Sequence, residues 1–212
     1  IGSLEAHVVG KSDLGLHVQF GAVDAETQRR IQSALLDANQ RYAPWIRRTQ
    51  LAAAGVAEAL EAGLARGEVA MEELITSDYA PVKRSEPVRY TTLASEFYAR
   101  TLPTILDEHR RSPEAPLFVL ALDRNGYLPV SHADHAAPGD SADGAWNDFN
   151  AHEQRLFEGW TTLLGARSEA PAHLRAYQFE GDCGPDDAIL IVSAPIRVGG
   201  RLWGGVQAGF RY

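Results

Sequence analysis

Residues 188–212, AILIVSAPIRVGGRLWGGVQAGFRY, decide the fold. Two apolar runs, 188–192 and 202–210, flank Pro195 and the Gly199-Gly200 pair, which predicts antiparallel strands joined by tight turns. Strict alternation along the second strand places Leu202, Gly204, Val206, Ala208 and Phe210 on one face. Trp203, Gly205, Gln207, Gly209 and Arg211 then share the other. Glycines on that second face leave bare backbone beside Trp203, which calls for a helix, a second sheet or a small ligand packed closely against it.

Composition narrows the rest. The chain has 212 residues, 45% hydrophobic and 23% charged, the profile of an ordinary globular protein able to bury a core. With 28 acidic against 20 basic residues and a net charge of -8, it lacks the clustered Lys and Arg that hold nucleic acid or an anionic membrane surface. No apolar run approaches the roughly 20 residues that span a bilayer, and residues 1–30 lack the basic and apolar regions of a signal peptide. A single cysteine, Cys183, excludes an internal disulfide, a cysteine-rich zinc site and covalent c-type haem.

Working back from the hairpin, residues from Asp24 onward carry Ile31, Leu35, Ala38, Tyr42 and Trp45 three or four apart, which predicts an amphipathic helix. Pro44 either kinks that helix or, the favoured reading, opens a second one, and the apolar face continues through Leu51, Ala52, Val56, Leu60 and Leu64 to a stop at Gly67. A short helix over 70–76 leads into the proline-bearing connector SDYAPVKRSEPVRY. Residues 92–111 predict another helix with Leu93, Phe97, Leu102 and Ile105 inward and Pro103 bending it or starting a second piece. After Pro113 the pattern turns to sheet: LFVLAL over 117–122, a hairpin turn at Asn125-Gly126, and a returning strand over 127–131. Residues 132–144 read as a loop and 146–164 as a helix with Phe149, Leu156, Phe157, Trp160 and Leu163 at helical spacing. Residues 174–180 form a further strand ahead of the final hairpin.

The expected fold class is therefore α+β: an N-terminal helical region over 1–112, then an antiparallel sheet of five to six strands with an inserted helical segment over 113–212. That connectivity resembles the PAS and Cache sensor domains, in which a ligand sits between the sheet and the inserted helices. The segment ALDRNGYLPVSH, residues 121–132, resembles the DRNGYLPTHN stretch of bacterial methyl-accepting chemotaxis receptors with a PAS-like sensory domain. Trp146, Asn147, Asn150, Arg155 and Phe157 are similar to that group's WNxxNxxxxRxF, and SAPIRVGGRLWGGVQAGFR over 193–211 to its SAPIxVRGRHWGGLRLAYR. Upstream, residues 62–82 resemble its acidic helix and DxYxPxPGTxP connector. Departures occur at Ser131, His132 and Ala133 in place of THN, at QFEGDCG after Tyr177, and at Leu202 in place of His. The resemblance implies a non-enzymatic sensory module of a chemotaxis transducer, which binds a small molecule and signals to another domain of the same protein. It implies either a cytoplasmic location or a place within a membrane-associated chemoreceptor.

The residues themselves supply the candidate ligand contacts Tyr127, His132, Trp146, Arg155, Tyr177 and Trp203. The planar guanidinium of Arg155 would grip a small anion such as a carboxylate, or would form an internal ion pair with Glu158. The aromatic side chains belong either to a pocket wall or to the core. His132 and His135, with Asp134 and Asp140 beside them and His152 or His173 as a further ligand, form the weakest candidate, a metal site in a polar loop. A metal- or non-covalent haem-binding sensor is thus a minor alternative. No phosphate loop, nucleophile with a base, or paired-carboxylate site is apparent. The main alternative to a ligand sensor is a ligand-free interaction domain of the same fold, its cavity filled by its own side chains. The near-heptad stripe Ile31, Leu35, Ala38, Tyr42 predicts a homodimer through the N-terminal helices.

Overall fold

The computed structural model describes residues 5–12, 15–111, 115–131, 153–177 and 189–211. It is α+β, with a long helix near the start and small antiparallel sheets. Two compact units divide at Pro44: Ile1–Pro44 and Trp45–Tyr212. The helices after Pro44 therefore fall in one unit with the sheet, whereas the sequence division lay at 112/113.

The first unit opens with an antiparallel hairpin, β1 (Ala6–Ser12) and β2 (Gly15–Phe20), with a bulge between Val8 and Gly10. Sequence reading passed over it, although HVV and LHVQF flank the turn-forming SDLG. Helix α1 (Ala25–Arg66) follows, started by Asp24, whose Oδ1 accepts the N–H groups of Glu26 and Thr27 at 3.0 and 2.9 Å. These bonds hold the Asp24 carboxyl below its ordinary pKa. Among the described residues up to Pro44 none is buried, and Val8, Leu16, Val18, Phe20, Leu35 and Leu36 are exposed.

Pro44 does not start a new helix but lies inside α1. It removes one backbone bond, to the Gln40 carbonyl, and the helix carries through because its second half is pinned by burial. Thr49, Ala52, Ala53, Val56, Leu60 and Gly63 repeat every three or four residues on that buried face. After α2 (Met71–Leu74) and a connector containing the short ribbon β3 (Ala80–Pro81) and β4 (Tyr90–Thr91), helix α3 (Ser95–Arg110) packs back on α1. The Phe97 ring occupies the space a side chain at Gly63 would need, so the two helices approach at that glycine. Pro103 lies within an unbroken α3; Leu93, expected inward, precedes the helix and is 83% exposed, while Tyr98 and Leu106 take buried places.

The main sheet has four strands among the described residues, in the order β5-β10-β9-β8, against the five or six expected. These are β5 (Phe118–Asp123), β8 (His173–Tyr177), β9 (Ile189–Val198) and β10 (Arg201–Arg211), all antiparallel. Gly199 and Gly200, with φ of 55° and 76°, make the two-residue β9–β10 turn as the sequence predicts. The strand after β5 does not return beside it. β6 (Tyr127–Leu128) leaves the sheet and pairs with β7 (Arg155–Leu156). The reason lies in the turn: among its central residues neither Arg124 nor Asn125 has positive φ, only Gly126 does (85°), so the primed geometry that folds a strand back on its neighbour is absent.

The predicted helix over 146–164 is also corrected, over the described part 153–164; residues 146–152 lie outside the described residues. Among its described residues, Gln154 takes a positive φ of 59°, residues 155–156 are extended, and the helix α4 spans Trp160–Arg167. Trp160, expected inward, is 42% exposed. α4 covers one sheet face, where Leu120 and Leu122 of β5 stand opposite Gln207 and Gly205 of β10. α1 and α3 cover the other: Trp45 stacks on Phe210 with ring centroids 4.8 Å apart, and Tyr98 lies against Trp203 at 5.8 Å.

Candidate functional site at the Asp123 corner

Trp203 is the bulge residue of β10. Pairing with β9 runs Leu202↔Arg197 and then Gly204↔Ile196, leaving Trp203 as the extra residue. The bulge breaks the alternation that placed Trp203 beside Gly205 and Gly209, and its ring turns to Tyr98 of α3, away from α4. The indole Nε1 donates to the Tyr98 hydroxyl at 3.1 Å, which in turn donates to the Leu74 carbonyl at 3.4 Å. Burial raises the Tyr98 pKa far above its usual value, so this hydroxyl stays protonated.

The bare backbone of the opposite face is filled by α4. A Cβ on Gly205 would stand 2.8 Å from the Gly165 carbonyl oxygen and 3.2 Å from that of Ala194. A Cβ on Gly165 would stand 2.5 Å from Gln207 Nε2 and 2.6 Å from Ser193 Oγ. Gln207 Nε2 donates to the Thr162 carbonyl at 2.7 Å, fixing the helix over the strand. The expected cavity between sheet and inserted helix, with Tyr127, Arg155, Tyr177 and Trp203 at its wall, is therefore not formed over Gly205. Helix backbone occupies that space.

What the sequence-predicted aromatics do form is a corner at the Asp123 end of β5 and β10. Asp123 is 6% exposed. Its Oδ1 accepts the N–H groups of Asn125 (2.8 Å) and Tyr127 (3.0 Å), and its Oδ2 accepts the Tyr79 hydroxyl at 2.5 Å. Asn125 Nδ2 donates to the same hydroxyl at 2.8 Å. Tyr79 comes from the connector, so one carboxylate ties that segment to the DRNG turn. Arg124 N–H reaches the Trp203 carbonyl at 2.8 Å, and Phe157 N–H reaches the Gly126 carbonyl at 2.9 Å. A side chain at Gly126 would collide with the Phe157 carbonyl, a second reason for glycine there. Tyr127, 1% exposed, packs its ring 5.1 Å from that of Tyr79 and donates its hydroxyl to the Tyr90 carbonyl at 2.9 Å.

Burial raises the pKa of Asp123, and the Tyr79 hydroxyl and the Tyr127 and Asn125 amides oppose the rise. Burial, reinforced by Asp123, raises that of Tyr79. The carboxylate has three donors and the phenol both gives and receives a bond, so the cluster functions as a structural clasp. Sequence reading singled out Tyr127 and missed Tyr79 and Asp123. The Asp at the first position of a D-x-N-G turn was the available signal.

Arg155 pairs with Leu128 on the β6–β7 ribbon, half-buried, its guanidinium carbon 5.5 Å from the Phe157 ring centroid. Tyr127, Arg155 and Trp203 thus gather at one end of the fold. Tyr177 ends β8 opposite Ile189, which pairs with Arg211 at the other end of β10, so it stands away from the corner. His132, Trp146 and His135 lie outside the described residues. Among the described residues no group of three His, Cys, Asp or Glu is placed to hold a metal ion, and no helix is long and apolar enough to cross a membrane. A hollow of about 160 Å³ at the start of α1, lined by Phe20, Val23, Asp24 and Thr27 among others, has Asp24 already on the helix N–H groups.

Two histidines contribute to the acid limb of stability. Burial lowers the pKa of His109 below 6.5, with Arg48 adding to the effect and Glu108 opposing it; burial and Arg175 lower that of His173. The unfolded chain then binds protons more readily than the native one, so stability is full above 6.5 and is lost as pH falls through the depressed native values. Urea midpoints should drop over that window, and His109→Gln should flatten the drop; an unchanged slope would remove His109 from the account.

Comparison with protein-family models, with curated proteins and with solved structures gives no match for this chain.

Proposed function

We propose that this chain is the sensory module of a chemotaxis-type signal transducer, a PAS-like domain that takes a small molecule near its Asp123 corner and passes the bound state to a signalling domain of the same protein. The observation that supports this reading is convergence. Four stretches similar to chemoreceptor sequence, far apart in the chain, meet there: the connector through Tyr79, the turn at Asp123 and Gly126, the segment of Arg155 and Phe157, and the strand bearing Trp203. The Gly205 face is not the binding surface, because α4 fills it. The ligand instead meets the β6–β7 ribbon, where the half-buried Arg155 supplies the cation for a small carboxylate.

A thermal-shift series with small carboxylates and amino acids tests the proposal, since a ligand that binds only the folded form raises Tm with its concentration. Arg155→Ala should abolish the shift while costing less stability than the loss of one partner of a buried ion pair. A loss of about 3–5 kcal/mol without any ligand response would make Arg155 a structural ion-pair partner.

The closed glycine face, with Tyr127 and Trp203 satisfied inside the chain, favours a second reading as a ligand-free interaction domain. Absence of any shift across the panel would select it.

A further inference from the structure

The first half of α1 carries a charge pattern that specifies how a second copy docks on it. At about 100° per residue, Ile31, Ala34, Leu35, Ala38 and Tyr42 share one arc of the helix. Along one flank of that arc runs a row of alternating sign, Glu26, Arg30, Asp37 and Arg41, all exposed. The other flank is uncharged beside the arc, at Gln32, Leu36 and Asn39, with Arg29 behind it on the back of the helix, where it pairs with Glu26. Leu35 and Leu36 are 59% and 57% exposed, and nothing described in this unit is buried before Pro44. Within the chain, Glu26 reaches Arg30 at 2.9 Å and Arg29 at 3.5 Å across solvent.

We propose that α1 pairs with α1 of a second copy in antiparallel orientation, about a two-fold axis at the Ser33–Ala34 peptide. Symmetry makes the orientation readable. In a parallel pair the two-fold axis runs along the helices and brings each flank against the partner's opposite flank, so the charged row would face Gln32, Leu36 and Asn39. In an antiparallel pair the axis crosses the helices and brings like flanks together, so the row meets its own reverse. Glu26 then stands opposite the second copy's Arg41, and Arg30 opposite its Asp37. Both pairs are centred on the same peptide bond, and that centre leaves Ile31 one residue, about 1.5 Å, from level with the second copy's Leu35 on the apolar arc. Only one orientation makes this row complementary to itself. The overlap of residues 26–41 is about 24 Å long, which suits a reversible dimer better than a permanent one. This proposal is independent of the sensory reading.

Sedimentation equilibrium of the whole chain tests it, with three variants. Arg30→Glu with Arg41→Glu makes the row wholly acidic, and Glu26→Lys with Asp37→Lys makes it wholly basic. Each alone should self-associate at least about tenfold more weakly than the parent, and an equimolar mixture should recover the parent's association as a heterodimer. The third variant reverses every sign in the row (Glu26→Arg, Arg30→Asp, Asp37→Arg, Arg41→Asp), which preserves self-complementarity, and should dimerise with helix content unchanged by circular dichroism. A parent that stays monomeric at the highest attainable concentration overturns the proposal. So does undiminished self-association of the two single-sign variants, the signature of a parallel pair, or a mixture that fails to associate.

Discussion

Asp123→Ala should destabilise the domain by about 3–5 kcal/mol, measured as a fall in urea midpoint without a change in m-value. The magnitude follows from what is orphaned. The Tyr79 hydroxyl and the N–H groups of Asn125 and Tyr127 all end on this one carboxylate in a site that water scarcely reaches, and each buried donor left unmade costs about 1–3 kcal/mol. Asp123→Asn keeps an acceptor oxygen for the turn and should cost less, about 1–2 kcal/mol. The two variants also separate charge from shape. Because burial raises the native pKa of Asp123 above 3.8, the native state holds its proton more tightly than the unfolded chain. That part of the stability is present below 3.8 and is lost as pH rises through the native value, so the wild type should gain on the Asn variant as the acid limb is approached. A cost below about 1 kcal/mol for Asp123→Ala would mean that water or neighbouring groups replace the carboxylate, and the clasp would lose its standing.

How much of this corner was legible in the sequence depends on the kind of signal. The β9–β10 hairpin was, because a Gly-Gly pair between long apolar runs admits one tight turn, and the positive φ values at 199 and 200 are what that turn demands. The return of the chain after Asn125-Gly126 was not, because the same dipeptide serves two turn types. The side chain of Asp123, by capping the N–H groups of Asn125 and Tyr127, selects the one that sends the strand outward to Arg155 and Leu156. Alternation assigned Phe210 and Gln207 to opposite faces correctly and failed at Trp203, since one bulge shifts the parity of every residue before it and no local pattern announces a bulge. The helix expected over 146–164 failed differently, at 153–159. Leu156 and Phe157 do have the spacing of a helix face, but Leu156 is extended opposite Tyr127, a long-range pairing to which periodicity is blind. Pro44 was read as a helix start, and Pro103 as a bend or a second start, from local chemistry; burial of the turns after Pro44 and around Pro103 outweighed it.

The glycines of β10 carry the last expectation, and it bears on function as well as on stability. Gly205→Ala should cost about 2–3 kcal/mol, and Gly165→Ala on α4 a similar amount. The reason is contact with groups that do not yield. The added methyl at 205 meets two backbone carbonyl oxygens, at 2.8 and 3.2 Å, each held in regular structure. The methyl at 165 meets the amide of Gln207, which is itself bonded to Thr162, and the Ser193 hydroxyl, which is buried. Relief in either case requires α4 to lift from the sheet, exposing Leu122, Leu128 and Ala166, which pack together in the core. The two costs should not add in a double variant, because a helix lifted for one methyl has already made room for the other. Were this face an open ligand cavity, either methyl would fit without strain and would change only what binds. Wild-type stability in both variants, measured by urea denaturation, would therefore return the binding surface to the Gly205 face and remove the ground for placing the ligand on the β6–β7 ribbon.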